Sequence, residues 1–192
     1  MTAPQACVPP DPALVVKTTR KWLELAVIGL NLCPFAKSVF VHDQIRYVVS
    51  DATTETALLV ELRLALSDLM QADPDRVETT LLIHPGVLAN FSDYNDFLEP
   101  ADALLCDMEL DGVLQIASFH PDYQFAGTAP DDIENATNRS PWPILHLLRE
   151  SSIDRAVLAF PDASNIFERN IALLHQIGQT GWDQLQRRIM TE

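Results

Sequence analysis

The side chains best suited to chemistry gather between Ser118 and Glu150, in SFHPDYQFAGTAPDDIENATNRSPWPILHLLRE. His120 titrates close to neutrality when unperturbed, so it is the candidate general acid or base, assisted by an acid from the same stretch. Arg139 carries a planar fork of donors that fits a carboxylate or phosphate two bonds at a time, a geometry that Lys cannot imitate. Asn135, Asn138 and Ser140 surround it, and Ser140-Pro141 reads as the cap and first turn of a helix running through Trp142, Leu145, Leu148 and Arg149. Free N–H groups, a positive helix end and a guanidinium would then meet at one point, which makes an anion site. The competing reading pins the loop with an ion pair from Arg139 to Asp131, Asp132 or Glu134. Tyr123 and Gln124 complete the polar set, and Gly127 marks a bend. Connections in compact domains are usually shorter than this one, and long polar loops tend to bind ligands.

A second histidine resembles the first in its setting. TLLIHP at 80–85 and IASFHP at 116–121 both end an apolar strand on His-Pro. If those strands run parallel, His84 and His120 share the carboxyl-terminal edge of the sheet, where open α/β sheets place ligands. The alternative is that each imidazole only bonds a turn. A metal reading would recruit His84, His120 and His146 with Asp131, Asp132 or Glu134, but no ligand spacing such as HExxH supports it, and no metal is assigned. Cys33, beside Pro34 at the start of a short helix, is a candidate nucleophile, because a helix N-terminus lowers a thiol pKa. Its alternative is a small buried filler.

The elements that must position these groups follow from periodicity. Val15, Trp22, Leu23, Ala26, Val27 and Leu30 predict a long helix from about Leu14 to Leu32, stopped near Asn31. Strands are expected at 45–49, 79–83 and 113–119, the last buried on both faces, and helices at 54–70 and 92–108. Towards the C-terminus come the helix from Ser140, a helix towards Phe160 stopped by Pro161, one capped by Ser164 or Asn165 reaching Ile177, and a last one at 183–189. The expected fold is one α/β domain over 13–192, with a small, mostly parallel sheet of three or four strands and a helical C-terminal layer. Residues 1–12 read as a loose Pro-rich arm.

Composition narrows the classes. With 27 acids against 13 basic residues the net charge is −14, which repels phosphate backbones and anionic membranes. Neither nucleic acid nor membrane is an expected partner. No apolar run approaches the roughly 20 residues of a bilayer span, and the N-terminus lacks a signal-peptide pattern. The expected location is the cytoplasm. Cys7, Cys33 and Cys106 are too few and scattered for a disulfide framework. Phosphate-loop, dinucleotide and GxSxG motifs do not occur, so the common cofactor motifs are absent, and both the cofactor and the oligomeric state are left open.

LNLCPFAK at 30–37, QIASFHPDYQFAGT at 115–128 and ENATNRSPWPILHLLRE at 134–150 resemble a bacterial family of about this length, the domain-of-unknown-function family 1415. The resemblance spans nearly the whole chain and implies no activity. The functional expectation is an enzyme acting on a small anionic metabolite through His120 and Arg139. The alternatives are a non-catalytic binding or interaction protein, and a thiol enzyme using Cys33.

Overall fold

The computed structural model describes residues 10–159 and 165–191. The expected cap residue Ser164, the stop at Pro161 and most of the N-terminal arm lie outside them. Helix α1 (Pro12–Trp22) starts where the arm was expected to continue, with Asp11 accepting from the Ala13 N–H and Pro12 in the first turn. It passes into a π-helical segment, Leu23–Ile28, and the chain leaves it through Asn31, whose φ of 54° ends the helix as the sequence suggested. Then follow α2 (Ala36–Val41), β1 (Ile45–Val49), α3 (Glu55–Gln71), β2 (Thr79–Ile83), α4 (Phe91–Asp107) and β3 (Leu114–Phe119). A 3-10 segment (Ile133–Asn138), β4 (Ile144–Arg149), α5 (Glu150–Ala159) and α6 (Ile166–Met190) complete the order. Within α6, Gly178 takes φ 65° and ψ 172°, a conformation favouring glycine, and kinks the helix near the expected break. No described helix is long and apolar enough to cross a membrane.

The four strands lie in the order β1-β2-β4-β3. Strands β1 and β2 are parallel, while β4 runs antiparallel to both neighbours. The sheet is therefore mixed rather than mostly parallel, and the difference has one source. Residues 144–149 form a strand, not the expected helix. Trp142, Leu145 and Leu148 do fall at helical spacing, but a short apolar run satisfies a buried strand equally well. Ser140 caps no helix; its hydroxyl donates to the Trp142 carbonyl at 2.5 Å. Strand β3, expected to be buried on both faces, is an edge strand with Gln115 exposed and Ile116–Phe119 half-buried.

Two cores sandwich the sheet. On one face the stripe Leu58, Leu62, Leu66 and Leu69 of α3 packs with Tyr94, Phe97 and Ala101 of α4 against Leu82, Leu145 and Leu147. On the other, α1 and α6 bring Val15, Trp22, Leu174 and Trp182 against Leu81, Ile83 and Ile144. Alternation along β2 sends Leu82 one way and its neighbours the other, as a central strand requires. Because β3 and β4 are antiparallel neighbours, residues 120–143 need not cross the sheet and remain at one edge. Strands β2 and β3 both run antiparallel to β4 and so point the same way. His84 and His120 thus share an edge with this long loop, although the strand between their own runs in the opposite direction.

Candidate functional site

The two imidazoles flank one phenol. The Tyr94 ring stacks on His84 at 5.8 Å between centroids and lies 5.0 Å from His120. Its hydroxyl donates to the Ile144 carbonyl at 2.7 Å and accepts from the Phe119 N–H at 3.1 Å, tying α4 to the ends of β3 and β4. Both histidines are fully buried. His120 Nδ1 accepts from the Asp122 N–H at 3.0 Å, which leaves Nε2–H to donate to the Leu88 carbonyl at 3.1 Å. Both ring nitrogens are occupied, so neither can exchange a proton with a ligand, and burial lowers the His120 pKa. Leu88 presents that carbonyl from a left-handed backbone with φ 59°. His84 Nδ1 faces the Val87 carbonyl at 3.1 Å, while Nε2 has no partner. Burial first, with a smaller contribution from neighbouring His120, pushes His84 down to about 4. His146 stands on β4, away from the loop, with Nε2 bonded to the Thr79 hydroxyl at 2.7 Å. Among the described residues no group of three His, Cys, Asp or Glu side chains could hold a metal ion.

The polar loop is knitted to itself. Buried Asn135 accepts from the Phe125 N–H at 3.0 Å and the Thr128 hydroxyl at 2.8 Å, and donates to the Ala129 carbonyl at 2.8 Å. Asn138 donates to the Ser118 carbonyl and Gln124 to the Thr128 carbonyl. The Tyr123 ring packs on Phe91 and Phe125. These residues shape the loop rather than offering their polar atoms to a ligand. Gln124 also borders a wide, open hollow of about 850 Å³ between the loop and the start of α4.

Arg139 differs from them. It makes no ion pair with Asp131, Asp132 or Glu134: Asp132 accepts from the Ala129 N–H, and Glu134 lies 3.4 Å from His175. Instead Nε donates to the Tyr123 carbonyl at 3.3 Å and Nη2 to the Pro130 carbonyl at 2.5 Å. Its own carbonyl accepts from Trp22 Nε1 at 3.0 Å. Nε and Nη2 of the guanidinium are thus engaged by the loop, and Nη1 carries no described contact. Arg139 lines a cleft of about 220 Å³ with Trp22, Pro121, Ser140, Pro141, Trp182, Gln186, Ile189 and Met190. The expected helix start is absent, so no helix end stands beside the Arg139 guanidinium.

Cys33 is half-buried against the core formed by α1 and α6, outside this cleft. Burial raises its thiol pKa, outweighing the backbone N–H groups of Phe35 and Ala36. That is the reverse of the activated thiol expected at a helix start.

Trp22, Trp182 and Gln186 were absent from the sequence-based site. Both tryptophans sit at helical spacing among core residues, and only packing of the C-terminal half of α6 beside the loop makes them cleft walls. No curated protein and no solved structure matches the chain. Residues 14–184 match the model of the family described as "Protein of unknown function (DUF1415)", and the protein belongs to that family.

Proposed function

We propose that this protein binds a small anionic ligand, with Arg139 as the charged partner in the cleft between the 120–143 loop and α6. The observation that carries this reading is the guanidinium of a partly buried Arg139, aligned by two backbone carbonyls, with no carboxylate beside it among the described residues. Arg139 is the only Lys or Arg between Arg76 and Arg149, so no neighbouring cation in the sequence shares this work. Nη1 of this fork has no described protein partner, which leaves it open to a counter-charge. Carbonyls that fix the guanidinium beforehand reduce the ordering cost of binding.

The reading is one of binding rather than acid–base catalysis by His120, whose nitrogens are both engaged and buried. A thermal-shift series with small carboxylates and phosphate tests it. Because Arg139 also braces the loop, Arg139→Lys lowers the melting temperature by itself, so the quantity read is the anion-induced increment. Wild type gains stability as the anion rises above its Kd, and Arg139→Lys loses that gain. An equal increment in both proteins, or none in wild type, refutes the reading.

A further inference from the structure

The buried ring of His120 ties together two segments that are far apart in the chain. Nε2–H donates to the Leu88 carbonyl just ahead of α4, and Nδ1 accepts from the Asp122 N–H at 3.0 Å, holding the first turn of the 120–143 loop. The two bonds respond differently to a proton. A protonated imidazole has two donors and no acceptor, so the bond to Leu88 survives while Nδ1–H faces the Asp122 N–H, donor against donor. An acceptor stands on the same turn: the Asp122 carboxylate is exposed, lies close enough to favour a charge on His120, and makes no described ion pair. The other titratable groups around the ring offer nothing comparable. His84, at the end of β2, is itself a base whose charge would repel. Tyr94 of α4 already bonds the Ile144 carbonyl and the Phe119 N–H, and Tyr123, near Tyr94, accepts from the Ser118 hydroxyl at 3.5 Å.

We propose that His120 is an acid-sensitive latch: protonated at Nδ1, it exchanges the Asp122 N–H for the Asp122 carboxylate, and the 120–123 turn opens. Backbone and carboxylate of one residue stand at different places, so the exchange requires the turn itself to move. The direction follows from linkage. Burial holds the His120 pKa below its ordinary 6.5 in the closed turn, so the closed form is complete at neutral pH and is lost as the pH falls. The moving turn carries the Tyr123 carbonyl that accepts from Arg139 Nε, so acid also loosens the brace of the guanidinium. That consequence for ligand binding rests on the Arg139 reading above; the latch itself does not.

Amide hydrogen exchange followed by NMR on the full chain without added ligand tests the latch, with rates corrected for their intrinsic pH dependence. As the pH drops below about 6.5, the open fraction at the Asp122 amide should rise, approaching tenfold per pH unit, and the His120 imidazole should titrate over the same range. The amides of β2, which report global unfolding, should keep their protection until the pH is lower. Asp122→Asn, at an exposed position, removes the counter-charge and should reduce opening at about pH 5 by roughly threefold. His84→Asn should keep the acid response, because the proton is taken up by His120. Equal acceleration at Asp122 and in β2 would mean that the whole fold opens, and would overturn the latch. Protection that stays flat across the range, or an acid response that disappears in His84→Asn, would overturn it as well. An acid response unchanged by Asp122→Asn would overturn the exchange of partners.

Discussion

Acidification should destabilise this fold through His84. In the folded chain Nδ1 faces the Val87 carbonyl, the ring stacks on Tyr94, and Nε2 lies in a buried position without a partner. Protonation would create a buried cation with a donor and nothing to receive it. The folded pKa is lowered from 6.5 to about 4, so below pH 6.5 the unfolded chain takes up a proton that the folded chain refuses. Stability from this group is therefore complete above about pH 6.5 and is lost as the pH falls to about 4. At 1.36 kcal/mol per pKa unit the loss is about 3 kcal/mol, a large part of a typical domain's 5–15 kcal/mol. His120 and His146 are lowered as well and act in the same direction. His84→Asn keeps an amide near the Val87 carbonyl and isolates the contribution of His84. Unfolding free energies from urea titrations between about pH 7.5 and 4.5 should fall more steeply for wild type, by up to about 1.4 kcal/mol per pH unit. Equal slopes in the two proteins, or a His84 imidazole resonance titrating near 6.5, would refute the reasoning.

Three further outcomes follow from named contacts. Asn135→Ala removes three hydrogen bonds from the core of the loop and should cost roughly 2–4 kcal/mol in a denaturant melt, with amide exchange accelerating across 121–139; unchanged exchange there would mean that the loop is held by something else. Buried Arg149 donates to the Leu69 and Ala72 carbonyls at the end of α3 and to the Val77 carbonyl in the connection before β2, so Arg149→Met should destabilise by about 3 kcal/mol, and a loss within a few tenths would contradict that role. Exposed Cys106 should react with an alkylating reagent ahead of Cys33 at every pH, and a Cys33 that is mostly thiolate at neutral pH would contradict the raised pKa.

Local signals sufficed where a segment's own residues decide its state. Thr54 caps α3 by accepting from the Ala57 N–H, and the leucine stripe that follows announces one buried face. The run 79–83 is a central strand, recognisable by its unbroken burial. Residues 144–149 escaped because their state depends on partners far along the chain. Leu145 and Leu147 pair with Leu82 and Thr80, and Arg149 meets carbonyls at the end of α3. That error propagated into the site, since the helix end expected beside Arg139 was the same misplaced helix. The loop itself was legible from its length and polarity. The internal employment of Asn135, Asn138 and Gln124 was not, because side-chain types reveal capacity and only geometry reveals which partner takes it. Arg139 stands out in the sequence by its donor fork, and the structure supplies what the sequence could not: the carbonyls that orient it.

The most direct measurement is a crystal structure of the protein soaked with 3-(4-bromophenyl)propionate, located by the anomalous scattering of bromine. The account predicts the carboxylate within hydrogen-bond distance of the Arg139 guanidinium, in the cleft between the 120–143 loop and α6. A carboxylate bound elsewhere on the chain, with the Arg139 guanidinium turned to solvent or to a neighbouring acid, would contradict it.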